Sequence, residues 1–292
     1  MKKKTGLFDI INGVILTIVC ISMLYPFLNA IVKSFSGNSE IMRGNVYLWP
    51  KGFTLSGYIE LFNDPLFFTS LKNSLYIVLV GTFIRLVVSL MAGYAFSKDR
   101  LKYRKILFFL FIFTMFFGGG IVPTFIIINK LGLYDTLWVL ILMGSMPVYH
   151  MILAMSFFKQ LPSAVEEAAF VDGASFMQIF IKIILPMSKP LIATLTIFNA
   201  VALYNLFMQA VIFTQSPQNF VMQTYVRLKV FAAEAAAGTG DMQTIALIDA
   251  EDSGTETLKM AVLSLSSIPI VLVYPFFQRF FIKGVTLGAV KS

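Results

Sequence analysis

Among 292 residues there is one cysteine and one histidine. The lone Cys20 excludes an intrachain disulfide and a thiolate metal cluster. The lone His150 lies in an apolar run, where a single imidazole is more often a packed core residue than a ligand. Charge is scarce as well: 13% of the chain is charged against 58% hydrophobic, and the mean hydropathy is +0.81. Such a chain is not a soluble globular domain. The apolar runs do not alternate with polar residues, so a membrane β-barrel is excluded too. There is no G-x-x-x-x-G-K-[ST] phosphate loop, so the chain cannot hydrolyse ATP by that device. A His-Glu-x-x-His cluster and paired carboxylates at membrane depth are both missing, which argues against a membrane-bound enzyme and leaves no catalytic or metal-binding residue to name. No acid lies inside an apolar run and no internal repeat is visible, two features expected of a secondary transporter.

What remains is a set of long apolar runs, each sufficient for a helix to cross a hydrocarbon core about 30 Å thick. They predict an all-α integral membrane protein with six transmembrane helices, at about 10–32, 71–96, 106–128, 136–158, 188–213 and 260–282. The first run follows Lys2 to Lys4 but continues too far, and without a small-residue cleavage site, to be a signal peptide; it is an anchor. An even number of spans places both termini on one side. Lys and Arg are retained on the cytoplasmic side, and most of the 23 basic residues fall there if the N-terminus is inside: Lys2 to Lys4, Lys98, Arg100, Lys102, Arg104, Lys105, Lys159, Lys182, Lys189, Arg279, Lys283 and Lys291. The net charge of +8 is thus a topology signal and requires no nucleic acid.

Two connections are then outside, about 33–70 and 214–259. The first contains Trp49-Pro50 and Tyr58, suited to a water-membrane interface. The second opens on Gln215-Ser-Pro-Gln and continues through Ala232 to Gly240 to the acids Asp249, Glu251, Asp252 and Glu256. A loop of this length is either a docking surface for an external partner or a solvated linker.

The most informative stretch interrupts the apolar pattern between the fourth and fifth runs, at 163–184. Ser163 with Glu166 fits a capping box at a helix start, and Ser175 with Gln178 repeats it. The first short helix should stop at Gly173, where a left-handed residue suits a helix C-terminus. On the second, Phe176, Ile179, Phe180 and Ile183 share an apolar stripe that ends near Pro186. Small residues Ala164, Ala168, Ala169 and Gly173 permit close approach of another surface, and Glu166, Glu167 and Asp172 offer acceptors. Residue chemistry alone leaves this segment either a docking element or an amphipathic piece lying on the membrane.

Glu167-Ala-Ala, then Gly173, then Ile183-Ile-Leu-Pro186 resembles the signature of the permease subunits of binding-protein-dependent ABC importers. The wording Glu167-Ala-Ala-Phe-Val-Asp-Gly-Ala-Ser175 resembles the carbohydrate branch and its maltose-type second permease. The ending Tyr274 to Ser292 is similar to the subgroup that imports fragments of polysaccharides and glycans, although Ser292 stands where many relatives end in glycine. The resemblance implies a type I importer permease over 1–292, moving sugars by alternating access in a bacterial inner or plasma membrane. It implies that 163–184 is a coupling-helix pair, with Glu166, Glu167, Ala168, Ala169, Asp172 and Gly173 facing a cytoplasmic ATPase. Two ATPase subunits, a second and different permease, and an extracytoplasmic solute-binding protein are the implied partners. This chain needs no cofactor; ATP and Mg would be bound by the ATPase subunits. A permease for a non-sugar solute would carry the same coupling signature.

For the sugar path, Tyr204, Asn205 and Gln209 are candidates, because amides bond hydroxyls in both directions and Asn205 and Gln209 share a helix face at i and i+4. The same polar groups can equally serve as packing between helices. Arg85 lies in the second span with twelve uncharged residues on each side, 73–84 and 86–97; its charge must be answered by the other permease, by backbone carbonyls or by an anionic oligosaccharide. Gly118-Gly-Gly120 and Pro123 interrupt the third span, as a bend or as a packing notch.

Overall fold

The computed structural model describes residues 6–230 and 256–289, with side chains beyond 272 excepted. The tract Ala232 to Gly240, the acids Asp249, Glu251 and Asp252, and the side chains of the Tyr274 to Ser292 ending lie outside the described residues. The described chain is helical, with no strand among those residues: α1 (Leu7–Ser34), α2 (Asn38–Met42), α3 (Ser56–Asn63), α4 (Pro65–Ser97), α5 (Arg104–Phe116), α6 (Ile121–Lys130), α7 (Leu137–Leu142), α8 (Val148–Phe158), α9 (Ser163–Val171), α10 (Phe176–Met187), α11 (Lys189–Tyr204), α12 (Phe207–Phe213), α13 (Met222–Val230) and α14 (Glu256–Ala289). The chain divides into two compact units. One comprises residues up to Phe68 with Thr224–Pro269, and the other Thr69–Gln223 with Ile270 onward.

In the first unit, α1 is long and apolar enough to cross a membrane, and its apolar side chains are exposed on all sides. Its end is fastened by hydroxyls: Ser34 Oγ lies 2.7 Å from Tyr58 Oη, and Thr257 Oγ1 donates to the Ser36 carbonyl at 2.9 Å. Gly57 meets the α14 backbone so closely that a Cβ there would sit 2.8 Å from the Thr257 carbonyl oxygen. Asp64 accepts from Tyr225 Oη at 2.9 Å and pairs with Lys229 at 3.2 Å.

In the second unit, the predicted spans are bent where their sequences lack a regular helix partner. α4 carries the second span unbroken. The third is not one rod: α5 and α6 meet at 112° across Phe117–Gly120. Gly120 adopts φ +82, a left-handed conformation that favours glycine, and nothing lies within 4 Å of a Cβ at Gly118 or Gly120. The glycines therefore make a bend and fill no notch within this chain. The fourth span is divided into α7 and α8 by Met143–Pro147, where Gly144 has φ +68 and Pro147 has no N–H to donate. α10 and α11 meet at 82° at Ser188, which is fully buried and donates its hydroxyl to the Ile184 carbonyl at 2.7 Å. Pro186 deprives the Lys182 carbonyl of its regular partner, and α10 widens into a π turn at Phe180–Ile184, with the Leu185 N–H reaching back to the Phe180 carbonyl.

Two clusters of buried side chains hold this unit. One gathers Leu90 and Tyr94 of α4, Ala154 and Phe158 of α8, Ala169, Ile179, Phe180 and Ile184 of the α9–α10 segment, and Leu191 and Leu195 of α11. The other includes Ile77, Ile128, Leu140, Leu203 and Phe213. α4 and α8 approach so closely that a Cβ at Gly93 would lie 2.5 Å from Ala154 Cβ.

Candidate coupling segment

The segment after the fourth span is built from two short helices whose ends are settled locally. α9 begins at Ser163 with Pro162 as its N-cap, and no side chain caps it. Its end is a Schellman motif: the Gly173 N–H bonds the Phe170 carbonyl and the Ala174 N–H bonds the Ala169 carbonyl, both at 3.0 Å, with Gly173 at φ +78. α10 then opens on the predicted capping box, with the Ser175 N–H donating to Gln178 Oε1 at 2.8 Å and the Gln178 N–H to Ser175 Oγ at 3.4 Å.

The Ser163–Glu166 capping box does not form, and Glu166 does not point outward. It is 8% exposed. Its carboxylate pairs with Lys98, which follows α4, and accepts from Tyr94 Oη at 3.3 Å. Lys98 Nζ also lies 4.6 Å from the Tyr94 ring centroid. Glu166 is better served there because a phenol hydroxyl and an opposite charge await it, whereas at the N3 position it would reach only a backbone N–H. Next to this pair, the Arg100 guanidinium lies 3.8 Å from the Phe176 ring centroid and 5.2 Å from that of Phe170, and these two rings meet edge to face at 4.7 Å. The 98–100 turn thus clasps both short helices. In the sequence Lys98 and Arg100 stand out only as topology charges and Tyr94 not at all, since nothing local joins Lys98 to Glu166, 68 positions away.

With Glu166 and Ala169 turned inward, Ala164, Glu167, Ala168, Val171, Asp172 and Gly173 are exposed. Val171 is 88% exposed, a large apolar side chain on the same face as the small residues and the two acids. No atom lies within 4 Å of a Cβ built at Gly173. The arrangement offers a small, close-approach surface with acidic edges, held rigidly from behind.

The other candidates separate. Arg85 is buried, and its Nη2 donates to the Met143 carbonyl at 3.0 Å, at the C-terminal end of α7. One backbone carbonyl thus answers part of its charge, while its buried Nε has no hydrogen-bond partner among the described residues, and the turn beside it places Gly144 at φ +68, a conformation that favours glycine. Tyr204 is buried too, whereas Asn205 is exposed and Gln209 half-buried. The expectation that Asn205 and Gln209 share one helix face fails, because α11 ends at Tyr204 and α12 starts at Phe207. Asn205 turns its amide back onto the Val201 carbonyl at 3.0 Å, which ends the helix, and its Oδ1 accepts from Gln223 Nε2 at 3.4 Å. Asn199 is fully buried and donates to the Leu195 carbonyl at 2.8 Å; His150 is buried with its ring 6.0 Å from that of Phe198.

A second carboxylate organises the other end of the fourth span. Asp135, at φ +55, accepts from the Gln215 N–H at 2.8 Å, the Ser216 N–H at 2.9 Å, the Ser216 hydroxyl and Asn219 Nδ2 at 3.2 Å. Partial burial pushes this carboxyl up, but the donors from Ser216, Gln215 and Asn219 outweigh it and hold it below the ordinary carboxylate range. The same 215–222 stretch is tied to α4: Asn73 Nδ2 donates to the Gln218 and Phe220 carbonyls, both at 2.8 Å, and the Met222 N–H donates to Ser74 Oγ at 2.7 Å.

Residues 85–287 match the sequence profile of a family described as "Binding-protein-dependent transport system inner membrane component". Among similar proteins is the polygalacturonan/rhamnogalacturonan transport system permease protein YtcP of Bacillus subtilis, 36% identical over 290 residues, covering 99% of this chain and 100% of that one. Another is the arabinooligosaccharides transport system permease protein AraQ of Halalkalibacterium halodurans, 29% identical over 302 residues and covering all of both chains. A chain in the crystal structure of a bacterial ABC transporter involved in the import of the acidic polysaccharide alginate superposes with a TM-score of 0.83 at 30% identity, covering 94% of this chain and 96% of that one.

Proposed function

We propose, from the premise that this chain belongs to the family of binding-protein-dependent transport system inner membrane components, that it is a permease subunit of an ABC importer for oligosaccharides. The chain has the type I importer permease fold, and its apolar helices suit a membrane component. The names of the similar proteins, which concern polygalacturonan, rhamnogalacturonan, arabinooligosaccharides and alginate, support the sugar class. The observation that carries the coupling role is the exposed face of α9, Glu167, Ala168, Asp172 and Gly173, backed by the Lys98–Glu166 pair. A docked ATPase subunit meets that face, and because the face is clasped to α4, a displacement applied to it reaches the second span.

In this proposal the chain performs no catalysis itself. Two cytoplasmic ATPase subunits bind ATP and Mg, a second, different permease completes the passage, and an extracytoplasmic solute-binding protein delivers the sugar. Both termini are cytoplasmic, as the distribution of Lys and Arg indicates. The solute-binding protein shifts the transporter only through higher affinity for one of its two states, the outward-facing one.

The test is co-purification with the products of neighbouring genes, followed by ATPase assays with a candidate solute-binding protein and panels of neutral and acidic oligosaccharides, alongside Gly173→Asp. Stimulation that requires both the binding protein and one sugar class, and is lost in the variant, is expected. A complex lacking an ATPase, or activity indifferent to every sugar, refutes the proposal.

A further inference from the structure

At the same end of the second unit as the coupling segment, a cavity of about 800 Å³ opens between the start of α5 and the end of α8. Its lining combines Arg104, Lys105 and Lys159 with apolar Ile106, Phe108 and Met155. Asp99 also lines it but is committed to Arg104, its side chain turned largely to solvent. Lys105 and Lys159 have no acidic partner among the described residues. The cavity therefore carries two uncompensated cations above an apolar wall. Lys105 directly precedes the predicted span 106–128 and Lys159 directly follows the predicted span 136–158, so both sit at headgroup depth. Below them Ile106, Phe109 and Leu110 are exposed and continue the apolar surface toward the hydrocarbon.

We infer that this cavity is a binding site for an anionic phospholipid, with Lys105 and Lys159 meeting the phosphate and the Ile106, Phe109 and Leu110 surface meeting an acyl chain. Cationic pockets between spans are a recognised way of holding such headgroups. A phosphodiester carries one negative charge, which either lysine or both together can meet, and the apolar wall distinguishes a lipid from free phosphate. The leaflet, the cytoplasmic one, rests on the orientation proposed above; the site itself does not. Bound there, the lipid adjoins the 98–105 turn, whose Lys98 and Arg100 hold α9 and α10.

The full chain, purified in nonionic detergent with the subunits that accompany it, is titrated with phosphatidylglycerol, phosphatidylcholine or inorganic phosphate and read by native mass spectrometry. Phosphatidylglycerol is expected to be preferred over phosphatidylcholine by about 30-fold, and Lys105→Gln with Lys159→Gln to remove that preference. The pair Lys105→Arg with Lys159→Arg should keep it, which separates lost charge from lost folding, and Lys130→Gln should leave it unchanged. Equal retention of the two lipids, an unchanged preference in the Gln pair, or an equal loss in Lys130→Gln overturns the site. Displacement of the lipid by millimolar inorganic phosphate overturns the lipid assignment. These readouts need neither sugar nor ATP, so they stand apart from the test of import.

Discussion

Two carboxylates hold the two ends of the fourth span, and they do so by different physics. Glu166 is buried and answered by a cation, Lys98, with a phenol beside it. Asp135 is answered by neutral donors: two backbone N–H groups, a hydroxyl and an amide. An ion pair removed from water is a joint commitment, since deleting one partner leaves the other charged and poorly solvated. A carboxylate gathered by backbone donors near the surface is less exacting, because water can replace it. The end that adjoins the exposed face of α9 is therefore the one whose disruption costs more.

The largest effect expected is from Glu166→Ala, which should lower stability in detergent by about 2–3 kcal/mol, less than a fully buried pair because both partners keep some solvent contact. Thermal unfolding measures it. Lys98→Met combined with Glu166→Leu should recover most of the loss; if the double replacement is as unstable as the single one, the pair is not the cause. Next comes Gly173→Val, where a β-branched residue must take φ +78, for a cost of about 1–2 kcal/mol. Asp135→Asn ranks third, at about 1 kcal/mol, through weakened hydrogen bonds to Gln215 and Ser216.

The same aspartate gives a test by pH. Its folded-state carboxyl is held below the ordinary value, so the clasp contributes fully above about pH 4 and is lost as pH falls through the lower folded-state value. Amide hydrogen exchange at Gln215 and Ser216 should accelerate in that acid window, beyond its intrinsic pH dependence, and Asp135→Asn should abolish this extra acceleration. An equal response in wild type and variant would erase the contrast between the two ends. The smallest stability effect belongs to Glu167→Lys on the exposed face, under about 0.5 kcal/mol. Yet sugar-stimulated ATPase should fall at least tenfold there. Loss of both stability and coupling would mean that this face also belongs to the core.

What could be read from the sequence was local. The left-handed Gly173 and the Ser175–Gln178 capping box each depend on a few adjacent residues, and each pattern carries its cause with it, whereas Gly118–Gly120 leaves a bend and a packing notch open until the surrounding space is seen. Glu166 was misassigned for the converse reason: a plausible local partner, Ser163, lay three positions away, while the actual one, Lys98, is remote in sequence and near only after α4 and α9 have packed. Arg85 shows the same limit. Its isolation among apolar residues was plain, but the carbonyl that receives it exists only because the fourth span breaks at Met143–Pro147. Asn205 looked like one member of a continuous polar face because apolar composition continues through it, and composition does not report that its amide has turned back on Val201.

The corner at Ser188 has a mechanical consequence. Two helical segments joined at 82° behave as a bell crank: a push along α10 arrives at α11 as a sideways thrust, with little travel along the axis of the fifth span. Because the Ser188 elbow is buried and bonded to Ile184, its angle is braced against folding flat. In the proposed transport cycle a short axial stroke on α10 would therefore emerge as a swing of the far end of α11, with the length of that helix setting the gain.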